Sequence, residues 1–175
     1  MVRTRRKAQP DQQPEREGLT GPAGRSAVLR DLERAFEQHP FGYVALFDID
    51  NFIYVNDQFG HRVGDAFLVV VTAMLSAAAA PARTYRAAGD EFVVIGAGLD
   101  QTAGQRLHRY VRDSIRFPLT AESRSGNTPP NFVVTMSGGV AAWPDPEYRA
   151  ATDLLRAADR TMYQDKVATR SQRHS

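Results

Sequence analysis

The hydrophobic and polar positions of this chain fall into helical and strand periods in turn. Val28, Leu29, Leu32, Ala35 and Phe36 recur at helical spacing behind Ser26, a residue type that caps helix starts, and predict a helix over residues 26–38. His39 and Pro40 stop it. Tyr43 to Phe47 is an unbroken apolar run of strand length, which predicts a buried strand. A short helical or irregular segment is expected over 51–59, a turn at Gly60 and His61, and a long helix over about 63–79. The apolar run 66–82 is interrupted by Thr72 and Ser76 and falls just short of the roughly 18 residues of a membrane span, so it reads as a buried helix with no membrane contact.

Residues 83–87 and 91–95 are two short strand candidates around a tight hairpin at Ala88, Gly89 and Asp90, where Gly89 can supply the backbone angles of the turn. An amphipathic helix is expected over 102–116 with Leu107, Val111 and Ile115 inward, a loop over 123–130, and a strand over 132–142. Gly138 and Gly139 in that strand mark a close approach of another backbone. A last helix spans 153–169. Interleaved strands and helices with one clear hairpin predict an α+β fold, a mixed central sheet flanked by helices. No internal repeat is visible.

Composition narrows this picture. At 175 residues and 42% hydrophobic, the chain fits one domain with a real core. Residues 1–18 carry almost no apolar side chain and read as a disordered polar tail, leaving a domain over 19–170 and a short tail at 171–175. The net charge of +2 is too small to argue for a nucleic-acid partner, and the basic cluster Arg3, Arg5, Arg6, Lys7 sits in the tail. With no cysteine, disulfides and thiolate metal sites are excluded. That, and the lack of an apolar leader, fits a cytoplasmic chain.

The segment 47–65, FDIDNFIYVNDQFGHRVGD, holds the candidate chemistry. Asp48 and Asp50 end the buried strand, and alternate strand residues share a face. Asp90 and Glu91 sit at the hairpin tip. Carboxylates from two neighbouring elements suit a hard divalent cation such as Mg2+, which takes one or two protein carboxylates and completes its shell with water and substrate phosphates. Acids at turns also serve simply as solvated residues, and these residues alone leave both readings open.

The intervening residues add to this. DIDNFIYVND, GHRVGD and RAAGDEF resemble the DxDxFKxxND, GHxxGD and RxGGDEF motifs of the GGDEF family of diguanylate cyclases. LTGPAGR is similar to that family's LTGLxNR, VTMSGGVA to VTxSxGVA, and AADRTMYQDKVATR to ADxALYxAKxxGR, so the resemblance runs in order from Leu19 to about Arg170. It implies a nucleotidyl cyclase fold, related to polymerase palms, in a bacterial signalling enzyme that converts two GTP into cyclic di-GMP and pyrophosphate at the interface of a homodimer. By the same matching, Asp48, the Ile49 carbonyl, Asp90 and Glu91 hold Mg2+ or Mn2+, with Asp48, Asp90 and Glu91 the catalytic acids. Phe52, Asn56, Asp65 and Gly89 belong to the substrate site, Asn56 and Asp65 reading the guanine edge. Lys166 and Arg170 match a basic pair on phosphates; their bland alternative is a solvated helix end. His61 reads as structural and Arg86 as support for the hairpin.

The chain departs from the motifs at four places. Ala88 replaces a glycine, which costs about 1 to 2 kcal/mol if the position needs positive φ. Ile53 stands where a phosphate-contacting lysine is usual. Pro22 and Gly24 replace Leu and Asn. Ala79, Ala80, Pro81 and Ala82 stand where a product-inhibition RxxD would lie, so that feedback should not operate. Ile53 and Ala88 keep open an alternative, a catalytically weak GGDEF-like domain that regulates by binding GTP or a protein partner. What brings two copies together is expected to be an upstream sensory domain or a partner.

Overall fold

The computed structural model describes residues 24–118 and 132–172. The expected N-terminal tail, residues 173–175, the residues of the LTGPAGR motif before Gly24, and the loop over 123–130 lie outside them; residues 171–172, expected in the C-terminal tail, continue the last helix instead. Among the described residues, helices and strands follow one another as α1 (Arg25–Gln38), β1 (Gly42–Ile49), α2 (Phe52–Phe59), α3 (His61–Ala79), β2 (Arg83–Ala88), β3 (Glu91–Ala97), α4 (Gln101–Ser114), β4 (Phe117–Pro118), β5 (Val133–Val134), β6 (Met136–Trp143) and α5 (Ala151–Gln172). Helix starts differ from expectation by one or two residues: α4 begins at Gln101 rather than 102 and α5 at Ala151 rather than 153. α1 begins at Arg25, with Gly24 rather than Ser26 at its cap and no side-chain cap bond. α3 begins at His61, directly behind Gly60 at φ 86°.

The main sheet has the order β2-β3-β1-β6. Its α+β class and hairpin match expectation, but each of its three ladders is antiparallel rather than mixed. Hydrophobic periodicity marks a strand's faces and says nothing of its direction, which is why the sequence did not settle this. β1 is central, so its residues alternate between two cores. Tyr43, Ala45, Phe47 and Ile49 pack with α2, α3 and α4, while Val44 packs with α1 and α5.

α3 is long and apolar enough to cross a membrane by length and composition. Phe67, Leu68, Val71 and Leu75 nevertheless form one side of the core against β1 and β3, the role of a buried helix. Close approach occurs where expected: a Cβ on Gly139 would collide with the α5 backbone at Ala158 and Met162.

The single strand expected over 132–142 is two. β5 pairs with β4 in a separate small sheet, Thr135 belongs to neither, and β6 pairs with β1. The break has a cause. The Thr135 carbonyl accepts Asp50 N–H at 2.9 Å, and its hydroxyl donates to Asp50 Oδ2.

Candidate functional site

β1 and β3 run antiparallel in a register that sets Asp48 directly opposite Glu91. Asp90 is tied to the same strand end, since its carbonyl accepts Ile49 N–H at 3.3 Å. The three expected acids therefore gather where β1 ends and the hairpin turns. Gly89 forms the tip at φ 41°. Ala88 is not among the described residues with positive φ, so its methyl group carries no left-handed strain. Arg86 Nε donates to the Gly89 carbonyl at 2.7 Å, a bond that fixes the tip and fits the supporting role expected of it.

Each outer acid faces a base. Lys166 Nζ, from α5, donates to Asp48 Oδ1 at 2.6 Å, and Arg25, from α1, pairs with Glu91 Oε2 at 2.9 Å. The Asp48 pair is largely enclosed, whereas the Arg25 side chain is 76% exposed, so the second pair is the weaker one. Burial pushes the Asp48 carboxyl above its usual range. The bond and charge of Lys166 pull it back, and Asp90 and Asp50 push it further up. Arg170 lies on α5 beyond the described side chains.

Asp50 is different from Asp48. It is buried and accepts hydrogen bonds from the Thr135 and Ser137 hydroxyls, the latter at 2.7 Å. A buried carboxylate satisfied in this way anchors β6 to the end of β1. Asn51 then takes left-handed angles, φ 59° and ψ 33°, and turns the chain into α2. Asparagine tolerates that region better than most residues.

α2 and α3 meet at Gly64, where an added Cβ would collide with Asn56 Oδ1 and come within 3.2 Å of Phe52. Glycine thus lets the Asn56 amide lie against the first turn of α3, one residue from Asp65. Phe52 is buried in the core beneath. Ile53, on the outer side of α2, is 75% exposed. His61 is exposed at the start of α3.

Among the described residues no three His, Cys, Asp or Glu side chains converge closely enough to hold a metal ion. The donor set still fits Mg2+ or Mn2+. Burial first, and the charges of Asp90 and Asp50 last, raise the Asp48 carboxyl even with Lys166 bonded to it, so a cation placed there would relieve the cost of its charge. The hard oxygens of Asp48, Asp90, Glu91 and the Ile49 carbonyl are the kind such ions take, with phosphate and water completing the shell.

The profile of the family described as "Diguanylate cyclase, GGDEF domain" matches residues 16–172, and the chain belongs to the GGDEF domain family. It is 31% identical over 156 residues to the diguanylate cyclase DgcP of Escherichia coli (strain K12), which covers 86% of this chain and 44% of that protein. A protein described as an uncharacterized 19.3 kDa protein in the repSA 5′ region of Streptomyces ambofaciens is 32% identical, over 89% of this chain and 80% of its own length. The crystal structure of the GGDEF domain of DgcB from Caulobacter crescentus in complex with c-di-GMP is similar with a TM-score of 0.67 and 27% identity, over 95% of this chain and 94% of that one. The cyclic di-GMP phosphodiesterase PdeR of Escherichia coli also matches, at 31% identity over 23% of its length. The chain thus spans under half of DgcP and a smaller part of PdeR.

Three partners of the acids carry no signal of that role in the sequence: Arg25, Thr135 and Ser137 meet Glu91 and Asp50 only once the fold brings distant positions together. Asp50 itself reads as an acid there, and not as the anchor of β6.

Proposed function

We propose that this chain is a diguanylate cyclase domain, with residues 19–170 as its working unit, condensing two GTP into cyclic di-GMP and pyrophosphate where two copies face each other. The observation that carries the reading is the register that sets Asp48 opposite Glu91, with Asp90 tied to the same strand end through its carbonyl. In this reading Asp48, Asp90, Glu91 and the Ile49 carbonyl hold Mg2+ or Mn2+. When bound, the ion neutralises triphosphate charge and makes the attacking 3′-hydroxyl more acidic. Asn56 and Asp65 orient the guanine by complementary donors and acceptors. Gly89 lets the nucleotide pass close to the hairpin, Phe52 supports the base site from below, and Glu91 receives the hydroxyl proton. Lys166 and Arg170 meet the phosphates.

Each copy presents one GTP, so bond formation needs a second copy with its own GTP opposite. Incubation with GTP and Mg2+ followed by nucleotide chromatography tests the reading: cyclic di-GMP is expected, and Asp90→Ala or Glu91→Ala should abolish it. No product at high protein concentration overturns it.

One observation favours a second reading. Ile53 places an exposed hydrocarbon where the motif carries a cation. A domain that binds GTP, or a protein partner, without turnover would be a regulator. Calorimetry showing GTP binding in a preparation that yields no product would select it.

A further inference from the structure

α4 and α5 lie on opposite faces of the sheet: Leu107 and Val111 belong to one core, Leu154, Ala157 and Ala158 to the other. β6, at the sheet's edge, lies between them. There Asp165 Oδ2 accepts Gly138 N–H at 2.9 Å and stands 3.5 Å from His108 Nε2. The His108 ring lies nearly parallel to Phe47, at 19° and 6.4 Å, and a Cβ on Gly138 would come within 2.8 Å of it. His108 Nε2 is buried without a hydrogen-bond partner among the described residues, so the Asp165 carboxylate is the group of opposite polarity that faces it. The helix motif quoted above carries alanine where this chain has Asp165.

The next residue along α5 is Lys166, whose Nζ meets Asp48. Successive helical residues point about 100° apart, so fixing the direction of one fixes that of the next. Phe47, beneath His108, likewise immediately precedes Asp48. We propose that Asp165, steered by His108, is a positioning residue that sets the roll of α5 and so delivers Lys166 to Asp48. Its importance for catalysis rests on the cyclase reading of Lys166; the positioning itself does not.

The chain has two lysines, Lys7 and Lys166, so amine chemistry reports on the contact with an internal reference. The folded full chain is methylated with formaldehyde and cyanoborohydride, without nucleotide, and both sites are quantified by mass spectrometry. Asp165→Ala should raise labelling of Lys166 relative to Lys7 by about three-fold, as for the loosening of a partly exposed ion pair. Asp165→Asn still accepts from Gly138 but loses the charge facing His108, and should give a smaller, measurable rise. Tyr163→Ala, on the same helix at a side chain that is 68% exposed, should leave the ratio unchanged.

An unchanged ratio in Asp165→Ala with circular dichroism intact, or an equal rise in Tyr163→Ala, overturns the proposal. If Asp165→Ala does not fold, the absence of any rise in Asp165→Asn overturns it. Because no GTP is present, a chain that fails to make cyclic di-GMP still decides the question.

Discussion

A Cβ at Gly64 would meet the far end of the Asn56 side chain, which can swing aside, so Gly64→Ala should fold while displacing the amide assigned to guanine. Loss of one well-made hydrogen bond raises KM for GTP by about ten-fold. Steady-state kinetics beside an unchanged Tm would show it, and an unaltered KM would remove Asn56 from guanine recognition. Ile53 offers the reverse experiment. It is exposed, so Ile53→Lys costs little packing and restores a cation; KM for GTP should fall by about ten-fold. The residues of the acid site were legible in the sequence because their order and spacing are local. What holds them was not. Lys166 and Asp48 are 118 positions apart, and no periodicity joins them. Ala88 is not among the described residues with positive φ, so the backbone strain that its place in the motif raises does not arise.

Among the elements, α1 is tied to β2 by a short network. Tyr85 donates to Asp31 Oδ2 at 2.9 Å, and Arg83 stands 3.8 Å from the same carboxylate. Burial, then the bond to Asp31, pushes the Tyr85 phenol up to about 12. The unfolded phenol ionises near its ordinary value of about 10, so the folded state holds the proton longer. This stability is fully present below pH about 10 and is lost as pH rises through the folded value. Urea midpoints measured across that window should fall more steeply for the parent chain than for Tyr85→Phe; parallel curves would contradict the assignment. The elements themselves were largely readable. β1, the hairpin and α3 follow from runs and periods that tertiary contacts reinforce. The split between β5 and β6 was not readable, because apolar alternation continues through Thr135 while a distant carboxylate pulls that residue out of line.

At the scale of the whole molecule, the cyclase proposed above joins two nucleotides, each held by one copy, and so requires a second copy facing the acids. Specific activity should therefore rise in proportion to protein concentration while dimers are scarce. A flat dependence at low concentration would show that a single copy suffices. The alanine-rich bend where α3 ends lacks the charges of an RxxD, so added cyclic di-GMP should leave the initial rate unchanged. A dose-dependent fall would reveal another inhibitory site.

Asp50, Thr135 and Ser137 have a consequence for how this domain can vary. Loss of the carboxylate alone removes the acceptor that the Thr135 and Ser137 hydroxyls share, and loss of either hydroxyl removes a donor from the buried carboxylate, whereas exchanging all three for apolar groups of similar shape removes these bonds together. Among descendants of this sequence, these positions should change together or stay fixed, even though they stand 85 and 87 residues apart.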